Sequence, residues 1–185
     1  KTCRKNTLPP TLTMILTQIL SALTVFAQIE ILFLVFLLIT DKKRKSKTLK
    51  VFAKIADKYT FVMALVATLG SLYYSEIAGF EPCKYCWFQR ILMYPLVIIM
   101  YIAIKIKDKY VSRYVLPISI MGTLLAGYHY LTQLGWLPST CVATGYSVGC
   151  AKIFVMTFGY ITIPMMAFTA FLLILSFFLV SKSKE

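Results

Sequence analysis

Five long apolar stretches dominate the chain, and the shorter segments between them hold most of its charge. The stretches are 12–39, 59–78, 87–106, 114–134 and 153–180. Each is long enough for the roughly 20 residues that a helix needs to cross a bilayer. Continuous apolar runs favour helices there, because lipid cannot hydrogen-bond to an open backbone. The pattern therefore predicts an all-α membrane protein.

The spacing of the stretches predicts a four-helix transmembrane bundle preceded by one extra N-terminal transmembrane helix. Residues 1–41 are the N-terminal segment with that helix, 42–58 a basic loop, 59–181 the four-helix domain and 182–185 a tail. The first stretch is expected to be a real span and not a signal peptide, because it is too long and no small-residue cleavage site follows it. Its one acid, Glu30, is more readily interpreted as a helix contact than as a catalytic group.

Composition supports this architecture and limits the classes of molecule that the protein is expected to contact. The 185 residues are 59% apolar, with a mean hydropathy of +0.76, which leaves no room for a separate soluble domain. The net charge is +13. Because the basic residues lie in short gaps between apolar runs, they indicate membrane topology and contact with anionic lipid, and not nucleic-acid binding.

Basic residues also predict the orientation. Fourteen of them fall in the gap after the first stretch, at or just after the end of the third, and in the tail: Lys42, Lys43, Arg44, Lys45, Lys47, Lys50, Lys54, Lys58, Lys105, Lys107, Lys109, Arg113, Lys182 and Lys184. The gaps after the second and fourth stretches offer only Lys84 and Lys152. The positive-inside rule places the first group and the C-terminus in the cytoplasm. The N-terminus is then outside, against the weaker signal of Lys1, Arg4 and Lys5.

Both weakly charged gaps carry a cysteine pair. The first is Cys83-Lys84-Tyr85-Cys86, and the second is Cys141 with Cys150. Thiols outside the cytoplasm are not kept reduced, so the pairs indicate disulfides. A CxxC spacing also lowers thiol pKa values and promotes exchange. Two pairs on one side of the membrane predict a relay that passes electrons into the bilayer.

The residues around Cys86 favour redox chemistry. Pro82 suits a helix start, and we expect the third helix to begin near Cys86, where free N–H groups stabilise a thiolate. Arg90 lies four residues later on the same face and supplies a fixed positive charge. The sequence thus predicts a Cys86 thiolate at the membrane edge. The alternative is a structural disulfide with an arginine that reaches the interface.

The second pair lies in a loop with polar residues, which we expect to be accessible to another protein. Alone, Cys141 and Cys150 would be interpreted as a loop staple, but beside a CxxC they favour thiol exchange. A zinc site built from the four cysteines is the less favoured alternative, since the second spacing is wider than usual for zinc. Cys3 is left over, either as a free thiol or in an intermolecular bridge, with no catalytic role.

Two polar residues lie within the fourth stretch. His129 is the only histidine, and Gln133 follows one helical turn later on the same face. Burying a histidine in a membrane span is costly, so a functional role competes with a structural one. His129 could donate a hydrogen bond or a proton to a quinone carbonyl. Glu76, near the end of the second stretch, is expected to be structural.

Three segments together resemble the DsbB/BdbC disulfide bond formation proteins, in particular the BdbC-like branch of Gram-positive bacteria. They are 82–96 (PCKYCWFQRILMYPL), 128–133 (YHYLTQ) and 159–164 (GYITIP). The resemblance covers about 59–180, and the order of cysteine pairs and helices agrees. The first stretch lies outside that core, and the loop between Cys141 and Cys150 is shorter than in proteobacterial members.

The resemblance implies a membrane thiol oxidase of the bacterial cytoplasmic membrane. It would reoxidise a thioredoxin-fold thiol oxidase (DsbA/BdbD-like) and pass the electrons to a quinone, either ubiquinone or menaquinone. By position, disulfide Cys83–Cys86 is the quinone-side pair, with Cys86 adjacent to the quinone. Arg90, His129 and Gln133 are the quinone-side polar residues. Disulfide Cys141–Cys150 is the partner-side pair.

Two alternatives remain at this point. A protein similar to vitamin K epoxide reductase would use the same logic, but there the CxxC usually follows the loop cysteines, whereas here it precedes them. A disulfide-stapled membrane scaffold would have no turnover. Thiol trapping distinguishes the scaffold, because it would keep both bridges throughout.

Overall fold

The computed structural model describes residues 10–40, 47–138, 141 and 149–181. Five helices account for the regular structure of these residues, apart from a short π-helical segment and one isolated bridge: α1 Pro10–Thr40, α2 Lys47–Leu72, α3 Lys84–Ile106, α4 Ser112–Gln133 and α5 Ile163–Ser181. All five are long and apolar enough to cross a membrane. The predicted all-α membrane protein with five spans is confirmed.

Helix α2 begins twelve residues earlier than the predicted span, at Lys47 instead of 59. Most of the segment predicted as a basic loop, 42–58, is therefore helical, while 41–46 lies outside the described residues. The pattern missed this part of α2 because its lysines lower the hydropathy of the segment, although one face of the helix is apolar. Phe52 packs edge-on against Phe177 of α5 at 5.9 Å between ring centroids, and Ala56, one turn later, is fully buried.

The fifth stretch was predicted as one helix over 153–180, but α5 begins only at Ile163. The preceding residues form a tight turn in which Thr157 and Ile161 exchange two backbone hydrogen bonds of 2.9 Å. Phe158 and Gly159 both have left-handed backbone, with φ of 52° and 78°. A left-handed pair cannot continue an α-helix, so the turn ends the loop and α5 starts after it.

Helix α5 lies at the centre of the bundle. It packs against α1, α2 and α4, and its largest buried side chains are Phe171, Phe177 and Phe178. Phe171 lies against Gly122 of α4, where a Cβ would overlap the ring. Helix α1 joins this core on the side of α5 that carries Leu173 and Phe177.

Helices α1 and α2 run antiparallel, since Thr13 bonds to Tyr73 near one end and Tyr59 donates to Glu30 further along. We call the end at which α3 begins and α4 finishes the cysteine end. The Tyr59 bond gives Glu30 the structural helix contact expected from the sequence. Glu76 accepts a hydrogen bond from Ser75.

Helix α2 does not reach the cysteine end as a regular helix. Its last turn widens into a π-helical segment, Tyr73–Ile77, in which the N–H of Ala78 bonds to the carbonyl of Tyr73. Such segments are often found at functional sites. Here it buries Tyr74, whose ring stacks on Phe80, which in turn stacks on Phe154. The three rings connect α2, the segment before α3 and the segment before α5.

Candidate functional site

The four loop cysteines come together at the cysteine end. Cys83, Cys141 and Cys150 form one buried cluster, against which Cys86 packs. Cys141 and Cys150 are bonded to each other, with their Cα atoms 5.8 Å apart. Cys83 and Cys86 form a dithiol whose Sγ atoms lie 3.2 Å apart. The predicted Cys83–Cys86 disulfide is thus represented here by its reduced form.

Cys83 caps helix α3. Its backbone is extended, the helix begins at Lys84, and the N–H of Cys86 donates to Cys83 Sγ at 3.4 Å. A side chain that accepts this bond satisfies one of the free N–H groups at a helix start, the role that Ser or Asp usually plays. The predicted start near Cys86 was therefore two residues late, and the capping thiol is Cys83.

His129 connects α4 to both cysteine pairs. Its ring is almost fully buried, and its Nε2 lies 3.1 Å from the carbonyl oxygen of Cys150 and 3.5 Å from Cys83 Sγ. The amide nitrogen of Gln89 lies 3.1 Å from Nδ1. Because this amide donates to Nδ1, the ring carries its proton on Nε2. That proton faces the Cys150 carbonyl and the Cys83 sulfur.

These contacts make Cys83 the acidic thiol of the pair. The hydrogen bond between the two sulfurs, together with His129 and the Cys86 N–H, lowers the pKa of Cys83 to about 4, although burial opposes the shift. Donors to a thiolate favour the charged form. The electrostatics thus favour the negative charge on Cys83 in the dithiol state, whereas the sequence pattern predicted it on Cys86.

The low Cys83 pKa predicts that one thiolate persists in acid. In a Cys3→Ser, Cys141→Ser, Cys150→Ser protein, we expect the ultraviolet absorbance of one thiolate to remain at pH 6 and to disappear as the pH falls through about 4. Since the folded pKa is below the unfolded value, the thiolate's contribution to stability is full above about 9 and gone below about 4.

Two variants of adjacent residues on α4, His129 and Tyr130, test the cause of the shift, and the Tyr130 variant is the control. His129→Ala should move the midpoint upward, because it removes a donor to the thiolate. Tyr130→Phe removes a hydroxyl that bonds to the Tyr160 carbonyl and should leave the midpoint unchanged. A midpoint near 9 in the His129-containing protein would contradict the assignment.

Arg90 ties α3 to α2 near the cysteine end. Its Nε donates to the hydroxyl of Ser71 and its Nη2 to the Ser71 carbonyl, both at 3.0 Å. The Tyr94 hydroxyl also bonds to Ser71, and the guanidinium lies 5.3 Å from the centre of the Trp87 ring. The planar fork thus holds one orientation, which a lysine could not reproduce.

A cavity of about 160 Å³ lies beside the dithiol, between α1, α2, α3 and α5 and next to the cysteine end of α4. Its walls are mostly apolar. All five predicted quinone-side residues line it: Cys83, Cys86, Arg90, His129 and Gln133. Cys141 and Cys150 do not, so Cys83 lies between the loop disulfide and the cavity.

The two polar atoms of the Gln133 side chain lie in different environments. Its amide nitrogen donates to the carbonyl of Lys152 at 3.0 Å, while its Oε1 is buried with no hydrogen-bond partner among the described residues. An unpaired buried acceptor is costly. The cavity itself suits a ring-bearing ligand, because its walls are mostly apolar and an apolar cavity of roughly 150 Å³ is sufficient to hold a benzene-sized ring.

The sequence analysis missed Gln89 and Ser71. Gln89 is buried and fixes the His129 ring, and Ser71 receives Arg90. A signal for Gln89 was present, because it lies three residues after Cys86, on the same helix face, inside an apolar span. Ser71 had no comparable signal, since serine is common in membrane helices.

Metal binding has one geometrically possible location among the described residues. The ligand atoms of Cys83, Cys86 and His129 all lie within 4.8 Å of one another, so the dithiol form could hold a soft ion with three ligands. Structural zinc normally takes four. The four-cysteine alternative requires thiolates at Cys141 and Cys150, which are bonded to each other here. Cys3 lies outside the described residues.

Comparison with known proteins points to one family. The family model described as Disulfide bond formation protein DsbB matches residues 58–181. Disulfide bond formation protein C of Bacillus subtilis is 46% identical over 131 residues, which are 68% of this chain and 91% of that protein. The SPbeta prophage-derived disulfide bond formation protein B of the same organism is 41% identical over 127 residues, 68% of this chain and 85% of that protein. No solved structure matches the chain.

Proposed function

The chain belongs to the DsbB family of disulfide bond formation proteins, and from that premise we propose that it reoxidises a thioredoxin-fold thiol oxidase (DsbA/BdbD-like) and delivers the electrons to a membrane quinone. Family membership itself gives thiol–disulfide oxidoreductase chemistry in disulfide bond formation. One observation carries the proposal further. The Cys83–Cys86 dithiol lies between a loop disulfide on one side and a membrane cavity on the other.

The first step is exchange with the partner. A partner thiolate attacks one sulfur of the Cys141–Cys150 disulfide, forms a mixed disulfide and releases the other sulfur as a thiolate. The second partner thiol then resolves the mixed disulfide. The partner leaves as a disulfide, and Cys141 and Cys150 hold its two electrons and two protons as thiols.

The second step transfers the electrons to the CxxC pair. Cys83 is the member that packs against Cys141 and Cys150, so a loop thiolate attacks Cys83 Sγ and Cys86 leaves as a thiolate. The other loop thiol then displaces Cys83 and restores the loop disulfide. The His129 Nε2–H, 3.5 Å from Cys83 Sγ, stabilises the departing Cys83 thiolate. The result is the arrangement in this structure, with an oxidised loop and a reduced CxxC.

This order of steps places a negative charge on Cys86 in one intermediate, the mixed disulfide between Cys83 and a loop cysteine. While Cys83 is bonded to a loop sulfur, Cys86 no longer shares a proton with it. The thiolate then lies in the first turn of α3, whose free N–H groups favour an anion. It also lies one turn from the fixed charge of Arg90. The charge predicted for Cys86 thus belongs to the mixed-disulfide state.

We assign Cys86, Arg90 and Gln133 to the quinone, and His129 to Cys83. A quinone held there would take up the two electrons and two protons of the dithiol and become a quinol. Arg90 would orient an oxygen substituent, and Gln133, which also lines the cavity, would contact the ring. His129 already uses Nδ1 for Gln89 and Nε2 for the Cys150 carbonyl and Cys83.

The function is tested with purified protein, a reduced thioredoxin-fold oxidase, and ubiquinone or menaquinone in parallel. We expect one quinol for each partner dithiol oxidised, with one quinone type preferred. Partner and quinone without the protein form the control. Partner oxidation without quinol formation, or stable bridges in all cysteine pairs during incubation, would contradict the proposal, and the second outcome would favour a scaffold.

The proposed orientation places the cysteine end outside the cytoplasm of a bacterial cell. Its support is the charge pattern, since the described basic residues Lys54, Lys58, Lys105 and Lys107 lie at or near the opposite ends of their helices. Membrane-impermeant thiol reagents on reduced, intact cells should label the CxxC and loop cysteines, and absence of labelling would reverse the orientation.

A further inference from the structure

Helix α1 lies wholly outside the matched residues 58–181, yet it forms one wall of the cavity. Leu20, Leu23, Thr24 and Ala27 all line it. The opposite walls come from the family core, including Met63 of α2 and Ala170 of α5. Without α1, this side of the cavity would open toward lipid between α2 and α5.

Polar contacts hold α1 in place on both sides of that opening. On the α2 side, Thr17 accepts a hydrogen bond from the Tyr74 hydroxyl at 3.3 Å. On the α5 side, Ser21 bonds to Thr157, and Gln28 bonds to both Thr169 and the Tyr160 hydroxyl. Because α1 forms hydrogen bonds to the elements on both of its sides, its position in the cavity wall is fixed.

The cavity extends along α1 away from the reactive cysteines. From Leu20 to Ala27 is seven residues, or roughly 10 Å along a helix. The polar groups Cys86 and Arg90 come from the first two turns of α3 at the cysteine end. The deeper part carries no charge, and its lining residues are Thr24, Ala27, Met63, Ala67, Met166 and Ala170. The Thr24 hydroxyl is satisfied by the Leu20 carbonyl at 2.8 Å.

We propose that this deeper part binds the isoprenoid tail of the acceptor, and that Ala27 of α1 sets its width. The proposal rests on the proposed quinone function. A quinone has a polar ring and an apolar tail, so its ring belongs with Cys86 and Arg90 and its tail with the uncharged deep wall. Helix α1 therefore forms one wall of the tail site and encloses the first part of the tail in protein.

The side chain of Ala27 is almost fully buried and small. A benzene-sized ring occupies a cavity of roughly 150 Å³, so a phenylalanine at this position would fill much of the deep part. Ala22 is a matched control, because it lies on the same helix but is exposed on its outer side. The full-length variants Ala27→Phe and Ala22→Phe thus add the same group on opposite faces of α1.

Two probes separate tail binding from ring binding: a methyl-substituted quinone without a tail, and the same ring with an isoprenyl chain. Dissociation constants are measured from the shift of the thermal unfolding midpoint in detergent, and KM for each probe from steady-state reduction. Ala27→Phe should bind the tailed probe about tenfold more weakly, the change expected from losing about two buried methylene contacts. It should bind the tail-less probe as the wild type does, and Ala22→Phe should change neither.

Leu23→Trp provides a second variant at a cavity position that is half exposed and so less demanding for folding. It should act in the same direction as Ala27→Phe. Equal weakening of both probes, or no change with either cavity variant, would overturn the tail site. If the wild type binds neither probe, the proposed quinone function fails instead, so the two failures are distinguishable.

Discussion

Replacing Cys141 with alanine should abolish oxidation of the thioredoxin-fold partner and leave the Cys83–Cys86 pair able to reduce quinone. The reason is the division of roles between the two pairs. Cys141 and Cys150 do not line the cavity, whereas both CxxC residues do. Without a loop disulfide, the partner thiolate has no sulfur to attack on the loop.

Two assays on the same preparation measure this effect. Loss of partner thiols should fall to the rate seen without the protein. Quinone reduction driven by a small dithiol reagent, which can reach the CxxC pair directly, should continue. Cys3→Ala is the control, since no role is assigned to Cys3, and it should keep both activities. Normal partner oxidation by Cys141→Ala would show that the partner reaches Cys83 or Cys86 without the loop.

Arg90→Ala should slow the quinone step by roughly 5- to 150-fold, the change expected from losing a charge interaction of about 1–3 kcal/mol. Two effects combine. The variant removes the fixed charge one turn from Cys86, and it removes both hydrogen bonds that Arg90 itself donates to Ser71 of α2. Arg90→Lys should retain part of the activity, because it keeps a charge but lacks the planar fork.

Ser71→Ala separates the two effects. It deletes the hydroxyl that Arg90 Nε and Tyr94 contact, but keeps the Ser71 carbonyl and the Arg90 charge. We expect it to slow the step less than Arg90→Ala does. The measurement is steady-state quinone reduction across quinone concentrations with the loop pair intact. Wild-type kinetics in Arg90→Ala would remove Arg90 from the site.

Hydrophobicity and cysteine spacing were sufficient to predict five spans and the side of the bundle that carries the redox residues. They could not locate the start of α5, because 153–162 is as apolar as a helix and only the left-handed pair Phe158 and Gly159 interrupts it. Nor could they locate the start of α2, where lysines interrupt a face that packs on α5. In both cases tertiary contacts decide the boundary.

The residues named from the sequence lie together at the cysteine end, but their contacts with one another were not predictable. Arg90 was expected to act on Cys86, and its direct hydrogen bonds go to Ser71. His129 was expected to face the quinone, and its nearest sulfur is Cys83. These partners depend on where α2 and α4 lie relative to α3, which one sequence does not contain. The wall that α1 contributes depends on the same information.

The position of Cys83 as the cap of α3 has a consequence for the driving force of the reaction. Every contact that stabilises its thiolate stabilises the reduced form of the CxxC pair and has no equivalent in the disulfide. We therefore expect the reduction potential of Cys83–Cys86 to be raised, as in other thiol oxidases whose reduced forms are stabilised. A higher potential at this pair favours electron flow to it from the loop pair.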